Sequence, residues 1–194
     1  CSLRTITFKH NETRSSKSEG RAVMLKRLLT EDGELTKISR RFVWMLVVIY
    51  CLIIVRMCFG PQIMIEGVST PNVQRFGRIV ALLVPFNSFR SLDQLTSFKE
   101  IFWVIGQNVV NILLLFPLII GLLSLKPSLR KYKSVILLAF LMSLFIECTQ
   151  VVLDILIDAN RVFEIDDLWT NTLGGPFALW SYRNIKGWLL TIRK

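Results

Sequence analysis

The chain has 194 residues, of which 52% are hydrophobic and 20% are charged, and its mean hydropathy is +0.49. A soluble domain has about 45–50% apolar and about 25% charged residues, so this composition indicates a small polytopic membrane protein. The net charge of +10 does not indicate nucleic acid binding, because the cations flank apolar segments and form no basic face with interleaved aromatic residues.

Cysteine and histidine content restricts the chemistry that the chain can perform. Cys51, Cys58 and Cys148 lie within apolar segments without metal-binding spacing, so they are interpreted as buried free thiols. The only histidine, His10, lies in a polar N-terminal stretch, away from any apolar segment. The apolar part therefore lacks the commonest general base and metal ligand. We expect no cofactor, since no phosphate loop or dinucleotide fingerprint is present.

The N-terminal part of the chain is polar and basic. Residues 1–23 have no apolar periodicity, which predicts a disordered tail. Because the first residue is Cys1 rather than methionine, Met24 is expected as an alternative start of the protein.

Four apolar segments are predicted to be membrane-spanning helices, for which about 20 residues are needed. They cover residues 42–59, 101–125, 134–152 and, as a shorter segment, 168–182. Pro117 lies within the second segment and predicts a kink. Residues 79–86 are apolar but too short to span, which predicts an interfacial or re-entrant segment. A helical stretch is expected to begin near Ser91 or Asp93.

Lysine and arginine counts predict which loops face the cytoplasm. There are ten such residues up to Arg41, four in residues 126–133 and four after Tyr182, whereas the loop before the fourth segment holds only Arg161. The sequence therefore predicts an all-α polytopic protein of the cell membrane, with four transmembrane helices and both termini cytoplasmic. Its parts are a basic cytoplasmic tail at 1–41, a membrane domain at 42–182 and a cytoplasmic amphipathic tail at 183–194.

Polar residues interrupt the apolar segments on the side that is predicted to face outward. Glu147, Gln150 and Asp154 lie at positions i, i+3 and i+7, which places them on one helical face. Such groups are costly in lipid unless they are paired or have a use. We therefore predict one polar binding site, with Glu147 as the candidate catalytic residue. Its members are Arg90, Asn111, Glu147, Gln150, Arg161, Asp166, Asp167 and Asn171.

A purely structural interpretation of the same residues stays open. Glu147 would pair with Arg161 or Arg90, and Asp166 and Asp167 would stabilise the start of the fourth helix through its dipole. The two asparagines would form hydrogen bonds between helices. A metal site of Glu147 and the two aspartates is the minor alternative, since carboxylates are hard oxygen ligands.

Residues 83–182 resemble the VanZ-like family of bacterial membrane proteins. The resemblance lies in LVPFNSF at 83–89, NILLLFPL at 111–118, IECTQ at 146–150, RVFEIDD at 161–167 and NTLGG at 171–175. The order of the last three is the most specific part of the pattern. Val110 and Ile119 stand where the family has glycines, which predicts less close backbone packing around the second helix.

The resemblance implies a multi-pass protein of the bacterial cell envelope. The family's namesake is associated with low-level resistance to the lipoglycopeptide antibiotic teicoplanin. The first hypothesis is that the polar site lowers susceptibility to such a drug, with membrane lipid and the antibiotic as partners. The alternatives are a membrane enzyme that acts on a lipid-linked envelope precursor, with Glu147 as its general base, and a non-catalytic accessory module. The sequence favours a role without catalysis.

Overall fold

A computed structural model describes residues 27–60, 72–90 and 98–193. The predicted disorder of residues 1–23 and the predicted helix start at Ser91 or Asp93 lie outside the described residues. Six α-helices organise the described chain: α1 (Lys37–Phe59), α2 (Asn87–Arg90), α3 (Phe98–Leu114), α4 (Phe116–Leu125), α5 (Tyr132–Ile157) and α6 (Ile165–Arg193). A 3-10 turn at Pro127–Leu129 joins α4 to α5.

Three helical segments in the described part of the chain are long and apolar enough to cross a membrane. They are Lys37–Phe59, Phe98–Leu125 and Tyr132–Ile157. The first three predicted segments are therefore confirmed as candidate membrane-spanning helices; all three begin earlier than predicted, and only the third also ends later. Thr36 accepts a hydrogen bond from the Ser39 amide and caps the start of α1.

The predicted kink at Pro117 is confirmed as a break between α3 and α4. Helix α3 ends at Leu114 and α4 begins at Phe116, with Pro117 in its first turn. Proline has no amide hydrogen and its ring clashes with the carbonyl four residues earlier, so the helix cannot continue unbroken. Tyr50 of α1 donates a hydrogen bond to the Leu114 carbonyl at this break, at 2.9 Å.

A three-stranded sheet was not predicted, so the all-α class is a correct description of the bundle but not of the whole chain. Strands β1 (Gln74–Phe76) and β2 (Ile79–Leu82) form an antiparallel hairpin, and β3 (Val162–Glu164) pairs parallel to β2. Gly77 takes a φ of 65° in the hairpin turn, where glycine is favoured. Ile79–Leu82, the first half of the apolar run predicted to be interfacial or re-entrant, thus forms the central strand of the sheet.

Helix α6 runs without interruption through the boundary predicted at residue 183. It packs against α3, α4 and α5, although Pro176 lies inside it. The core joins Leu115, Ile119 and Leu123 of the α4 region to Val135 and Ala139 of α5 and to Ala178 and Leu179 of α6.

Close packing around the second span is provided by glycines of α6 and, toward α1, by Gly121 within the span. A Cβ atom at Gly174 would lie 2.3 Å from the Ile112 carbonyl oxygen, and one at Gly175 would meet Val135 and Ala139 of α5. Ile119 fits into the core with no exposed surface, and Val110 is exposed. The packing deficit expected from Val110 and Ile119 is therefore wrong, because the glycines of the facing helix allow the approach.

An ion-pair centre joins three segments at one end of the bundle. Arg130 donates two hydrogen bonds to the Glu34 carboxylate, from Nη1 to Oε1 and from Nη2 to Oε2, and the Lys186 ammonium also binds Oε1. Hydrogen bonding to Arg130 is the main cause that lowers the pKa of Glu34 to about 2. The segment before α1, the α4–α5 loop and the late part of α6 therefore lie on the same side, as the charge counts predicted.

Candidate functional site

A cavity of about 160 Å³ lies near the opposite end of the bundle, between α1, α3, α5, β3 and α6. We call it the carboxylate cavity. Six of the eight predicted site residues line it: Asn111, Glu147, Gln150, Arg161, Asp167 and Asn171. Gln107 and Glu164 also line it, together with Met57, Cys58, Val110, Leu114, Ile146 and Val162.

Glu147 is the most buried acid of the cavity, with 1% of its surface exposed. Its Oε2 accepts a hydrogen bond from the backbone amide of Glu164 at 3.1 Å. This contact joins α5 to the last residue of β3. The predicted pairing of Glu147 with Arg161 or Arg90 is not formed among the described residues, because Arg161 donates to backbone carbonyls at the end of α1 and Arg90 is exposed outside the cavity.

Asp167 lies at the start of α6 and faces α3. Its Oδ1 accepts a hydrogen bond from Asn111 Nδ2 at 2.5 Å. The predicted bond between helices thus exists for Asn111, with a carboxylate as its partner.

Asn171 follows one turn later in α6 and is 1% exposed. Its Nδ2 donates to Ser143 Oγ at 3.1 Å, and Ser143 in turn donates to the Asp167 carbonyl at 3.1 Å. Asn171 Oδ1 has no hydrogen-bond partner in the described structure. A buried acceptor without a donor costs about 1–3 kcal/mol, so this oxygen marks a place where a donor from a ligand or water would be stabilised.

Glu164 is a cavity residue that the sequence did not single out. Gln107 Nε2 donates to its Oε1 at 3.1 Å. Burial is the largest cause that raises the pKa of Glu164 to about 7, the Gln107 hydrogen bond opposes this, and the Asp166 charge adds to it. Successive side chains of a strand point to opposite faces, so Val162 and Glu164 lie on the same face of β3. This alternation is the signal in the sequence that could have identified Glu164.

Arg161 lines the cavity but binds the end of α1. Its Nε donates to the Gly60 carbonyl at 2.7 Å and its Nη2 to the Met57 carbonyl at 2.6 Å. Burial lowers the pKa of this arginine. Gln150 also binds the end of α1, since its Nε2 donates to the Cys58 carbonyl at 3.0 Å. Both residues therefore satisfy carbonyls that the helix end leaves unpaired.

Asp154 is the third polar residue on this face of α5, and its carboxylate binds a backbone amide. Its Oδ1 accepts a hydrogen bond from the Arg161 amide at 2.8 Å, and its surface is 1% exposed. The sequence placed Asp154 on the same face as Glu147 and Gln150, and all three are buried as that spacing predicted.

Two predicted site residues lie outside the cavity. Arg90 is exposed at the end of α2. Asp166 is buried, and its carboxylate accepts hydrogen bonds from the Phe86 amide at 2.6 Å, the Ser88 amide at 3.3 Å and Trp169 Nε1 at 3.0 Å. Asp166 thus holds the loop before α2. Adjacent helical residues point about 100° apart, so Asp166 and Asp167 accept hydrogen bonds from different segments of the chain.

The prediction that the thiols are buried is correct only for Cys58. Cys51, Cys58 and Cys148 are all free, but Cys51 and Cys148 are exposed on the helix surfaces. Within the described residues, no group of three or more histidine, cysteine, aspartate or glutamate side chains is arranged to hold a metal ion.

The carboxylate cavity has an unusual charge balance. Within the described part of the chain, Glu147, Glu164 and Asp167 form no ion pair, whereas Glu34 forms two. Buried carboxylates without a cation are unfavourable and either take up protons or bind a positive partner. The cavity can therefore bind a cation or a group rich in hydrogen-bond donors, and it can exchange protons.

The comparison with known proteins identifies one protein family. The sequence profile of the VanZ/LLP1 family matches residues 46–189. This match includes α2 to α5, the three strands and most of α1 and α6. It contains every residue that lines the carboxylate cavity. No curated protein and no solved structure matches the chain.

Proposed function

The chain belongs to the VanZ/LLP1 family, and from this premise we propose that it is a multi-pass protein of the bacterial cell membrane that lowers susceptibility to teicoplanin-like antibiotics. In this proposal the carboxylate cavity opens toward the outer side of the membrane. There it binds the polar head of an amphipathic drug. The observation that carries the proposal is the set of three cavity carboxylates, which have no ion-pair partner among the described residues.

We also propose that α6 is the fourth membrane pass, with both termini in the cytoplasm. Asp167 lies at the carboxylate cavity and Lys186 at the ion-pair centre, about 28 Å apart along a helix with a rise of about 1.5 Å per residue. This length is close to the roughly 30 Å hydrocarbon core of a bilayer. Residues 168–182 of α6 carry no charge, and α6 is less apolar than the other spans because this stretch also contains asparagine, threonine, glycine and proline. Support for the orientation comes from the lysine and arginine counts.

The cavity chemistry favours a ligand head that donates hydrogen bonds or carries positive charge. Glu147, Glu164 and Asp167 accept hydrogen bonds, and Asn171 Oδ1 is a further acceptor that lacks a donor. Arg161 is the cation in the cavity wall, and its Nε and Nη2 are engaged with carbonyls at the end of α1. An anionic head group would therefore meet more repulsion than attraction.

The test is a susceptibility assay in a teicoplanin-sensitive host that expresses the chain. Wild type should raise the inhibitory concentration, and Glu147→Gln and Asp167→Asn should abolish the increase. Both substitutions keep an acceptor for the existing hydrogen bonds, so protein abundance in membranes should remain near wild type. The matched control is Asp158→Asn, an exposed acid at the end of α5, which should protect like wild type. Unchanged inhibitory concentrations with wild-type protein in the membrane would contradict the proposal.

A second candidate function is an enzyme that acts on a lipid-linked envelope precursor. The observation that favours it is the position of Glu147, buried at the cavity and held by the Glu164 amide. A general base must be positioned within hydrogen-bond reach of the proton that it removes. If Glu147→Gln leaves the cellular lipid and precursor profiles identical to those of wild type, this candidate is excluded.

A further inference from the structure

An apolar groove of about 290 Å³ lies beside the carboxylate cavity, between α1, α4 and α5. Its walls are Ile54, Val55 and Phe59 of α1, Leu118 of α4, and Met142 and Phe145 of α5, among others. Apart from the Cys51 thiol, the lining side chains are aliphatic, aromatic or thioether groups, so the groove offers no charged partner and no strong hydrogen-bond partner. It fits a flexible hydrocarbon chain.

The groove and the cavity are neighbours that share a wall. Ile146 of α5 lines both. On α1 the cavity is lined by Met57 and Cys58, and the groove begins at the adjacent Phe59. At the break before α4, Leu114 lines the cavity and Leu115 lines the groove. A molecule with a polar head and an apolar chain can therefore occupy both at once.

Charge complementarity identifies the head group. The cavity presents the carboxylates of Glu147, Glu164 and Asp167, and no ion pair neutralises them in the described part of the chain. Asn171 Oδ1 supplies an independent sign of a missing ligand, because it is a buried acceptor without a donor. A primary ammonium has three donors and a positive charge, which matches several acceptors in a small volume.

We propose that the site binds an ammonium-headed amphiphile, with the ammonium in the carboxylate cavity and the hydrocarbon chain in the groove between α1 and α5. This inference rests on the proposed function, because it names the ligand class that the outward site recognises. It predicts discrimination against amphiphiles with phosphate heads. It also predicts that head and chain contribute separately to affinity.

The experiment is native mass spectrometry of the purified full-length protein in detergent, titrated with three probes. Dodecylamine carries head and chain, dodecyl phosphate carries the same chain with an anionic head, and propylamine carries the head with almost no chain. Wild type should form a one-to-one adduct with dodecylamine at least about tenfold tighter than with either other probe. Equal binding of dodecyl phosphate overturns the inference.

Two pairs of variants separate head from chain. The double variant Glu147→Gln and Asp167→Asn should weaken dodecylamine binding by about tenfold or more, as expected when charge-assisted bonds are lost. Glu34→Gln, which removes a carboxylate at the other end, should not weaken it. If Glu34→Gln weakens binding as much, attraction is nonspecific and the inference is wrong.

For the chain, Val55→Trp should fill the groove and reduce dodecylamine affinity to that of propylamine, without changing propylamine binding. Its control is Val48→Trp, also at an exposed valine of α1 but outside the groove lining. Equal effects of the two tryptophan variants overturn the assignment of the groove. If dodecylamine fails to bind while the cavity variants still lose teicoplanin protection, this inference fails and the proposed function stands.

Discussion

Acidic side chains lie at opposite ends of the helix bundle: Glu34 alone at the ion-pair centre, and three in the carboxylate cavity. Glu34 receives hydrogen bonds from both Arg130 and Lys186. The cavity holds three carboxylates whose partners are amides: the Glu164 backbone, Gln107 and Asn111. The pKa of Glu34 falls to about 2, whereas that of Glu164 rises to about 7.

We interpret this difference as one between a structural use of charge at Glu34 and the ligand site that we propose for the cavity. At Glu34 the fold supplies the counter-charges itself, so the carboxylate connects three segments of the chain. In the cavity the fold supplies acceptors, and the guanidinium of Arg161 in its wall binds backbone carbonyls instead of the carboxylates, which costs stability. Natural proteins retain such arrangements where function needs them, and this trade of stability for activity is the physical basis for assigning the function to the cavity.

The largest effect on stability is expected where α3 contacts α6, beside the carboxylate cavity. Gly174→Ala would place a Cβ atom 2.3 Å from the Ile112 carbonyl oxygen, so the helices must separate and the Asn111–Asp167 hydrogen bond is lost. We expect a loss of roughly 2–3 kcal/mol in unfolding free energy, typical of overpacking against a rigid neighbour. Thermal unfolding of the purified protein measures it.

Gly187→Ala is the matched control on the same helix, because no atom lies within 4 Å of a Cβ at that position. It should leave the protein as stable or add up to about 1 kcal/mol through better helix propensity. Equal melting temperatures for the two alanine variants would show that the approach of α3 to α6 is not tight.

The second prediction concerns the arginine in the cavity wall. Arg161→Ala removes two hydrogen bonds to carbonyls at the end of α1 and should cost about 1.5–3 kcal/mol. Arg75→Ala, which removes one exposed hydrogen bond to Asn160, should change stability by no more than about 0.5 kcal/mol. Denaturation curves of both variants check this. A loss for Arg161→Ala no larger than that for Arg75→Ala would mean that Arg161 does not hold α1.

A third, smaller effect is expected at the ion-pair centre. Glu34→Gln should lower the unfolding free energy by up to about 1 kcal/mol, because partly exposed ion pairs contribute little. Teicoplanin protection should be retained if the centre is structural. Glu31→Gln, at an exposed position nearby, is the control and should have no effect. Loss of protection in Glu34→Gln with normal protein abundance would remove the distinction between the two centres.

The fourth prediction is a pair of opposite pH dependences. The pKa of Glu34 is lowered from 4.5 to about 2, so its contribution to stability is present above pH 4.5 and is lost as the pH falls toward 2. The pKa of Glu164 is raised from 4.5 to about 7, mainly by burial, so the folded state holds its proton longer. Stability from this group should therefore fall as the pH rises from 4.5 through 7.

Melting temperatures across this pH range separate the two contributions. Glu34→Gln should flatten the curve below pH 4.5, and Glu164→Gln should flatten it between pH 4.5 and 7. If the melting temperature of Glu164→Gln changes between pH 4.5 and 7 as steeply as that of wild type, Glu164 ionises normally.

Much of the bundle could be predicted from the sequence because apolar length and proline position act locally. The first three spans and the break at Pro117 follow from such signals. The sheet could not be predicted in this way, because β2 is central only when β3 returns beside it from far along the chain. The apolar run at 79–86 therefore suggested a membrane segment instead of a buried strand.

Prediction of the site from the sequence was limited in the same way, by contacts between residues that are far apart in the chain. Helical spacing placed Glu147, Gln150 and Asp154 on one buried face. It could not distinguish Asp166 from Asp167, because only the tertiary fold determines which neighbour each carboxylate meets. Glu164 was not identified because its position depends on the pairing of β3.

The most direct test of the account compares the stability of wild type with that of Glu147→Gln and Asp167→Asn, without ligand at neutral pH. Both substitutions remove a carboxylate that forms no ion pair within residues 27–60, 72–90 and 98–193, and both retain a hydrogen-bond acceptor. If the cavity carboxylates exist for a ligand, thermal unfolding should show melting temperatures equal to or higher than that of wild type, while teicoplanin protection is lost. Melting temperatures that fall by as much as that of Glu34→Gln would contradict the account, because the cavity carboxylates would then stabilise the fold.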